Sequence, residues 1–134
     1  MLKEREKYID FNGVEREEDF YFHLTEAEIV LMEFNTKGGF EQMVKNIIDA
    51  KEEGRLASII EELLLKAYGK KSPDGRTFDK SEEISNEFKH TMAYSNIFIR
   101  LVSDGNYTAK WIESVISQPT AQKETVPSIQ PVTE

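Results

Sequence analysis

The sequence predicts a mainly α fold, in which about six helices pack as a small bundle with one N-terminal β-hairpin. Three observations predict this fold class. Apolar residues recur at the i, i+3, i+4, i+7 spacing of amphipathic helices after residue 25. Two alternating segments flank an Asn-Gly dipeptide near the N-terminus, which is typical of a hairpin. Three of the four prolines fall after residue 118, which separates a folded part from a tail.

Length and composition exclude several classes of protein. The 134 residues fit one domain, and the absence of cysteine excludes disulfides, cysteine nucleophiles and thiolate metal sites. The net charge of −8 disfavours binding to nucleic acid or to an anionic membrane. The charged first seven residues have no apolar stretch behind them, and no apolar run is long enough to span a bilayer. We therefore expect a cytoplasmic protein whose partner is another protein.

The hairpin is predicted over about residues 7–24, with its turn at Asn12-Gly13. Its second strand places Phe20, Phe22 and Leu24 on one face. Because a lone hairpin is only marginally stable in water, this apolar face must pack on helices.

The register of the hairpin stays open at this stage. A two-residue turn would place Asp10 opposite Glu15, which is unfavourable because both are acidic. A longer loop that reaches Glu18, or a bulge, fits the pattern equally well.

The first helix has a clear start. Thr25 stands three residues before Glu28, which is the spacing of a capping box. The helix is expected to reach about Phe34 and to end at residues 35–39. Apolar residues cover much of its circumference, which indicates central burial or a face turned to a partner. These residues are Ile29, Val30, Leu31, Met32 and Phe34.

Two more helices are predicted from apolar spacing. Gly54 is expected as the C′ residue of the first, and Gly69 is expected to end the second. The short link between them favours an antiparallel pair. The apolar residues are Phe40, Met43, Val44, Ile47 and Ile48 in the first, and Leu56, Ile59, Ile60, Leu63, Leu64 and Ala67 in the second.

The remaining helices follow a turn at residues 72–75, after which Phe78 is expected to anchor a loop to the core. Ser81 and Thr91 are predicted to cap two helices separated by a break near His90. Asn106 is a candidate cap for the last helix, after Gly105. The apolar sides of these helices hold Ile84 and Phe88, then Tyr94, Ile97, Phe98, Leu101 and Val102, then Trp111, Ile112, Val115 and Ile116.

The domain boundary is predicted near Gln118, so that residues 1–117 form one folded domain and residues 118–134 a disordered tail rich in Pro, Thr and Gln. All fourteen aromatic residues precede this boundary. The tail holds one basic and two acidic residues, so the folded part carries −7 of the net charge of −8.

No stretch of the sequence has the pattern of an active site. Residues 74–79 lack the Asp-x-Asp-x-Asp-Gly order and the final Glu of a calcium loop. His23 alternates with the apolar face and is expected at the surface or at an edge, and His90 is expected at a helix end. We therefore predict no catalytic residue, no cofactor and no metal.

Six stretches of the chain carry a resemblance to a known family. They are residues 10–15, 18–28, 38–40, 64–69, 71–81 and 91–95, with the clearest being 71–81. They resemble the tail assembly chaperones of long-tailed phages and prophages of Gram-positive hosts. The family often has an acid three residues after the position of Thr91, where this chain has Tyr94, so that capping box is absent.

The resemblance implies a non-enzymatic, mostly helical protein that self-associates. Such chaperones bind the tape measure protein, the long helical ruler of the tail, and keep it soluble until tail-tube subunits polymerise around it. The expected partners are therefore the tape measure protein, tail-tube subunits and a frameshifted longer form of the chain itself, with no nucleic acid and no membrane. The expected location is the host bacterial cytoplasm, outside the mature virion.

The candidate contacts for a partner or for a second copy are Met32, Phe34, Phe40 and Met43, because methionine and phenylalanine make adaptable apolar surfaces. Their helical spacing also predicts burial in the monomer core, and this second interpretation stays open beside the first. The alternative function is an acidic interaction module, regulatory or antitoxin-like, that binds a basic protein partner. Capture that depends on salt and needs no apolar segment would favour this alternative.

Overall fold

The N-terminus forms a long antiparallel hairpin. Strand β1 (Leu2–Ile9) pairs with strand β2 (Glu15–Phe22). In the connection, the Asp10 N–H donates to Val14 O and the Gly13 N–H to Asp10 O, both at 2.9 Å, and Gly13 has a φ of 77°. A three-residue loop with a left-handed glycine suits the twist of a hairpin. The predicted hairpin is confirmed, although β1 begins about five residues earlier than expected. The computed structural model describes residues 1–35, 39, 42, 45 and 53–121.

The register of the hairpin differs from the register that a two-residue turn would give. Ile9 lies opposite Glu15, so two acids do not face each other at this position. Asp10 instead turns into the loop, where its carboxylate accepts hydrogen bonds from the N–H groups of Asn12 and Val14, both at 2.9 Å. The Asp10 carboxylate therefore caps main-chain N–H groups of the loop.

The sheet has two further strands that the sequence did not predict. Strand β3 (Tyr68–Lys71) pairs with β2, and strand β4 (Phe78–Asp79) pairs with β3, which gives the antiparallel order β1-β2-β3-β4. The fold is thus not a bundle with one hairpin only. The predicted turn at residues 72–75 is confirmed and connects β3 to β4, with the Gly75 N–H donating to Ser72 O at 2.9 Å.

Gly69 does not end a helix, because it lies in β3 opposite Tyr21. A Cβ atom there would come within 2.8 Å of the Phe78 ring and 2.9 Å of the Asp79 carbonyl oxygen. The glycine therefore permits a close approach between strands, which a sequence pattern does not distinguish from a helix C′ position.

Five helices lie within the described residues, in rough agreement with the predicted mainly α fold. Side-chain caps at Thr25, Ser81 and Thr91 are confirmed. Asp104, rather than Asn106, caps the last helix, and Gly105 is its first residue. The helices are α1 (Glu26–Asn35), α2 (Glu53–Ala67), α3 (Glu82–Lys89), α4 (Met92–Ser103) and α5 (Gly105–Val115).

Two sequence predictions concern the link between α1 and α2 and the chain end. Gly54 lies in the first turn of α2 rather than after an earlier helix. That earlier helix, predicted around Phe40 and Ile48, falls largely outside the described residues, as do residues 122–134 of the predicted tail. Gln118, the first residue of that tail, donates a hydrogen bond from its side-chain amide to Leu24 O at 3.0 Å.

The core lies between one face of the sheet and the helices. Phe22 is fully buried and packs against Phe88 and Trp111, with ring centroids 5.7 and 5.5 Å away. Tyr68 stacks on Phe88 at 4.1 Å. The prediction that the aromatic face of the hairpin packs on helices is therefore confirmed.

His23 is buried, so its expected surface position is wrong. The chain bends beyond β2, where the His23 N–H donates to Ala67 O at 2.8 Å and the ring meets the edge of Phe78 at 6.5 Å. Its Nδ1 has no hydrogen-bond partner among the described residues. Burial lowers the pKa of His23.

Candidate partner-binding surface

The start of α1 is held in place by a local cap and a long-range ion pair. The Glu28 N–H donates to Thr25 Oγ1 at 3.2 Å, and the Thr25 N–H donates to Glu28 Oε1 at 2.9 Å, which is the predicted capping box. Lys80 Nζ donates to Glu28 Oε2 and to the carbonyl oxygen of His23, both at 2.7 Å. These contacts fix which side of α1 faces the core.

The outer side of α1 is an apolar surface. Val30, Leu31 and Phe34 are 46%, 59% and 82% exposed, and their i, i+1, i+4 spacing places them on one side of the helix. We call these three residues the α1 patch. The opposite side of α1 places Met32 in the core and packs Ile29 against it. The nearly all-round apolar pattern of this helix is thus divided between the core and an exposed face.

The contact residues predicted from the sequence differ in how far the structure buries them. Met32 is only 6% exposed and belongs to the core, whereas Phe34 is the most exposed residue of the α1 patch. Phe40 and Met43 lie outside the described residues. Val30 and Leu31 were part of the predicted apolar helix but were not singled out, because the sequence does not fix which side of α1 is covered.

A second exposed apolar group lies at the tip of the hairpin. It consists of Ile9, Phe11 and Val14, with Phe11 in the loop itself and 78% exposed. The apolar periodicity of the sequence did not predict this group. A large aromatic residue directly before an Asn-Gly turn was the available signal, since turn residues seldom reach the core.

One comparison assigns the chain to a family. A family model described as phage tail assembly chaperone matches residues 1–134. The chain belongs to the phage tail assembly chaperone family. Searches of curated proteins and of solved structures found no match.

The hairpin of this tail assembly chaperone is tied to the helices through carboxylates on its buried face. Arg100 Nη2 donates to both oxygens of Glu6, at 3.1 and 2.9 Å, and the Glu6 side chain is only 6% exposed. The Tyr107 hydroxyl on α5 donates to Glu4, whereas the Tyr8 hydroxyl donates to Glu18 within the hairpin itself.

Burial and these carboxylates shift the pKa values of Tyr8 and Tyr107 in the same direction. Both raise the pKa of Tyr107, and both raise that of Tyr8 to about 12. The hydroxyls therefore stay protonated and donate at neutral pH.

The pKa values of Glu28 and Lys80, the ion pair at the base of α1, are also shifted. Burial alone would raise the pKa of Glu28, but hydrogen bonds from Lys80 and Thr25 lower it overall. Burial lowers the pKa of Lys80, which Glu28 partly offsets. The attraction between Glu28 and Lys80 therefore opposes the effect of burial on the pKa of each group.

A cleft of about 530 Å³ opens between α2 and the corner that joins α4 to α5. Its wall combines apolar residues of α2 with the polar chain around Asp104. It is lined in part by Leu56, Ile60, Leu101, Asp104, Asn106 and Thr108.

Two kinds of feature are absent from the described residues. No group of three or more His, Asp or Glu side chains in that part of the chain is arranged to hold a metal ion. Within the same residues, no helix combines the length and the apolar character needed to cross a membrane.

Proposed function

We propose that this chaperone binds apolar helical segments of the tape measure protein through the α1 patch. It holds them in solution and is displaced when tail-tube subunits polymerise around the ruler. The observation that carries the proposal is the exposure of Val30, Leu31 and Phe34 on one side of a helix whose base is fixed by the core. In this proposal the protein acts by stoichiometric binding in the host cytoplasm, without catalysis, and is absent from the mature virion.

The binding mode that suits such a surface is helix against helix. A partner helix with an apolar stripe can cover three side chains at i, i+1 and i+4 spacing. Each large apolar side chain that becomes buried contributes roughly 1.5–3 kcal/mol before the costs of association. A three-residue patch therefore gives modest affinity per copy, which allows release, while many copies along one ruler add avidity.

The charge of the chain supports the same proposal. A net charge of −8 on 134 residues keeps an apolar-binding protein apart from its neighbours in solution. When the chaperone covers the apolar stripe of a ruler, it also adds negative charge to the complex. Both effects oppose aggregation before tube subunits take over the ruler.

Co-expression with a tape measure fragment from the same phage genome tests the proposal. The full chain should keep the fragment in the soluble fraction, and Leu31→Ser with Phe34→Ser should reduce that fraction about tenfold, since two exposed apolar contacts are lost. Ile99→Ser is the matched control, because Ile99 is also exposed but lies on α4. An equally insoluble fragment with and without the chaperone would overturn the proposal.

The same assay separates the alternative, an acidic module for a basic partner. Capture through the α1 patch should persist at high salt, because apolar contacts are not screened. Capture that is lost at high salt, and is unchanged by Leu31→Ser with Phe34→Ser, would support the alternative instead.

A further inference from the structure

Both edges of the hairpin have main-chain groups that pair with no described strand. The Asp10 N–H donates to Val14 O, and in an antiparallel pair the hydrogen-bonded positions alternate. In β1 the main-chain groups of Lys3, Arg5 and Lys7 therefore point away from β2. Strand β1 is the first strand of the sheet, so no other strand of the described residues pairs with this edge.

The opposite edge of the hairpin is free over most of its length. The His23 N–H donates to Ala67 O, so the odd-numbered residues of β2 direct their main-chain groups away from β1. Strand β3 pairs with β2 only at Tyr21 and Phe22. Among the described strands, none pairs with the outward groups at the other end of β2, which belong to Glu15, Glu17 and Asp19.

The two edges carry opposite charges on the same face of the sheet. The β1 edge is basic and the β2 edge is acidic. Arg5 already bridges the two within one copy, since it contacts Glu17 at 3.1 Å and Asp19 at 2.9 Å. These ion pairs show that the side chains of both edges extend on the outer side of the hairpin. Lys7 and Glu15 are exposed at the far ends of their rows.

We propose that the basic edge of β1 in one copy pairs with the acidic edge of β2 in a second copy, as a continuous antiparallel sheet. Residues with outward main-chain groups then meet on both strands, and the basic side chains of the β1 edge meet the acidic side chains of the β2 edge. The register pairs Lys3 with Asp19, Arg5 with Glu17 and Lys7 with Glu15 of the neighbouring copy.

Charge also determines which occupants are disfavoured. A second β1 strand at the β1 edge would place lysine and arginine opposite one another, which is destabilising. Charged edge strands likewise resist pairing with apolar strands. The acidic β2 edge of a second copy has neither disadvantage, because it is charged and its charges are opposite to those of the β1 edge. Because the two surfaces differ, each copy keeps one free edge, and the assembly is heterologous, head to tail. This inference does not depend on the identity of the client or on the α1 patch.

A charge-reversal cycle on the full chain tests the proposal. Lys7→Glu and Glu15→Lys should each weaken self-association at least about tenfold at low salt, because like charges then face each other. The double variant Lys7→Glu with Glu15→Lys should restore it, since the two edges are again complementary. Lys110→Glu and Glu113→Lys are matched controls, because both residues are exposed on α5.

Sedimentation velocity at about 50 mM and about 500 mM salt gives the readout, and higher salt should weaken wild-type association. Circular dichroism checks that each variant is folded. An equimolar mixture of the two single variants should recover head-to-tail assembly with the two variants alternating, because the two reversed edges are complementary to each other and so are the two unreversed edges. A wild-type monomer at all accessible concentrations, or association that neither single reversal weakens, would overturn the proposal.

Discussion

The contact between Glu6 and Arg100 gives the most direct test of how the hairpin is held. Arg100→Met removes the cation and both hydrogen bonds, at 3.1 and 2.9 Å, from a carboxylate whose side chain is 6% exposed. Removing one member of a buried ion pair lowers the free energy of unfolding by roughly 3–5 kcal/mol. Because the Arg100 side chain is 38% exposed, water can reach part of the site. We therefore expect the lower end, about 3 kcal/mol.

Urea unfolding at pH 7, followed by circular dichroism and by the fluorescence of Trp111, measures this cost. With a slope of about 1.5 kcal/mol per molar urea, the midpoint should fall by about 2 M. Glu6→Leu should cost less, since the freed guanidinium can turn to water. The double variant Glu6→Leu with Arg100→Met should recover most of the loss, because apolar groups of similar size often replace a buried pair.

An exposed ion pair serves as the control for this prediction. Lys70 contacts Glu87 at 2.8 Å, but both side chains are about half exposed or more. Lys70→Met should therefore cost no more than about 1 kcal/mol. If Arg100→Met costs no more than Lys70→Met, or if the double variant is no more stable than Arg100→Met, then the burial of Glu6 does not have the energetic role that we assign to it.

Three further predictions concern the sheet, the buried histidine and the first cap. Gly69→Ala should destabilise the fold by roughly 1–3 kcal/mol in urea unfolding, because its methyl group would meet Phe78 and the backbone beyond it; an unchanged midpoint would contradict this. Burial lowers the pKa of His23, so the unfolded chain binds the proton more readily, and stability should fall as pH drops through about 6.5. His23→Gln should flatten that dependence between about pH 7 and 5, whereas His90→Gln, at an exposed position, should leave it in place. Thr25→Ala should cost about 1 kcal/mol through the lost cap, and a variant as stable as wild type would exclude that role.

Local sequence signals predicted the elements that depend on local chemistry. Thr25, Ser81 and Thr91 act as caps because a side-chain oxygen needs only a neighbouring N–H group. Asp104 was missed for a related reason: it stands between two helices, and the sequence offered Asn106 as an equally suitable cap two residues later.

Features that depend on distant neighbours were not predictable in the same way. The strands β3 and β4 exist because β2 provides an edge beside residues 68–71, and four- and two-residue strands carry little periodicity of their own. Likewise, the buried His23 contacts Phe78 and Ala67, which are far away in the sequence. For the binding surface, sequence identified α1 as apolar on most sides, but only the packing of Met32 shows that Phe34 is left outside.

The separation between Glu6 and Arg100 along the chain has a consequence for folding during synthesis. The hairpin is local and can form early, but Arg100, which binds Glu6 on its buried face, is made only 94 residues later. Before the first helices are made, Phe20 and Phe22 share an uncovered face with Glu4 and Glu6. Two solvated carboxylates make that face a poor template for aggregation. The acids that must be desolvated in the finished protein therefore protect the unfinished one.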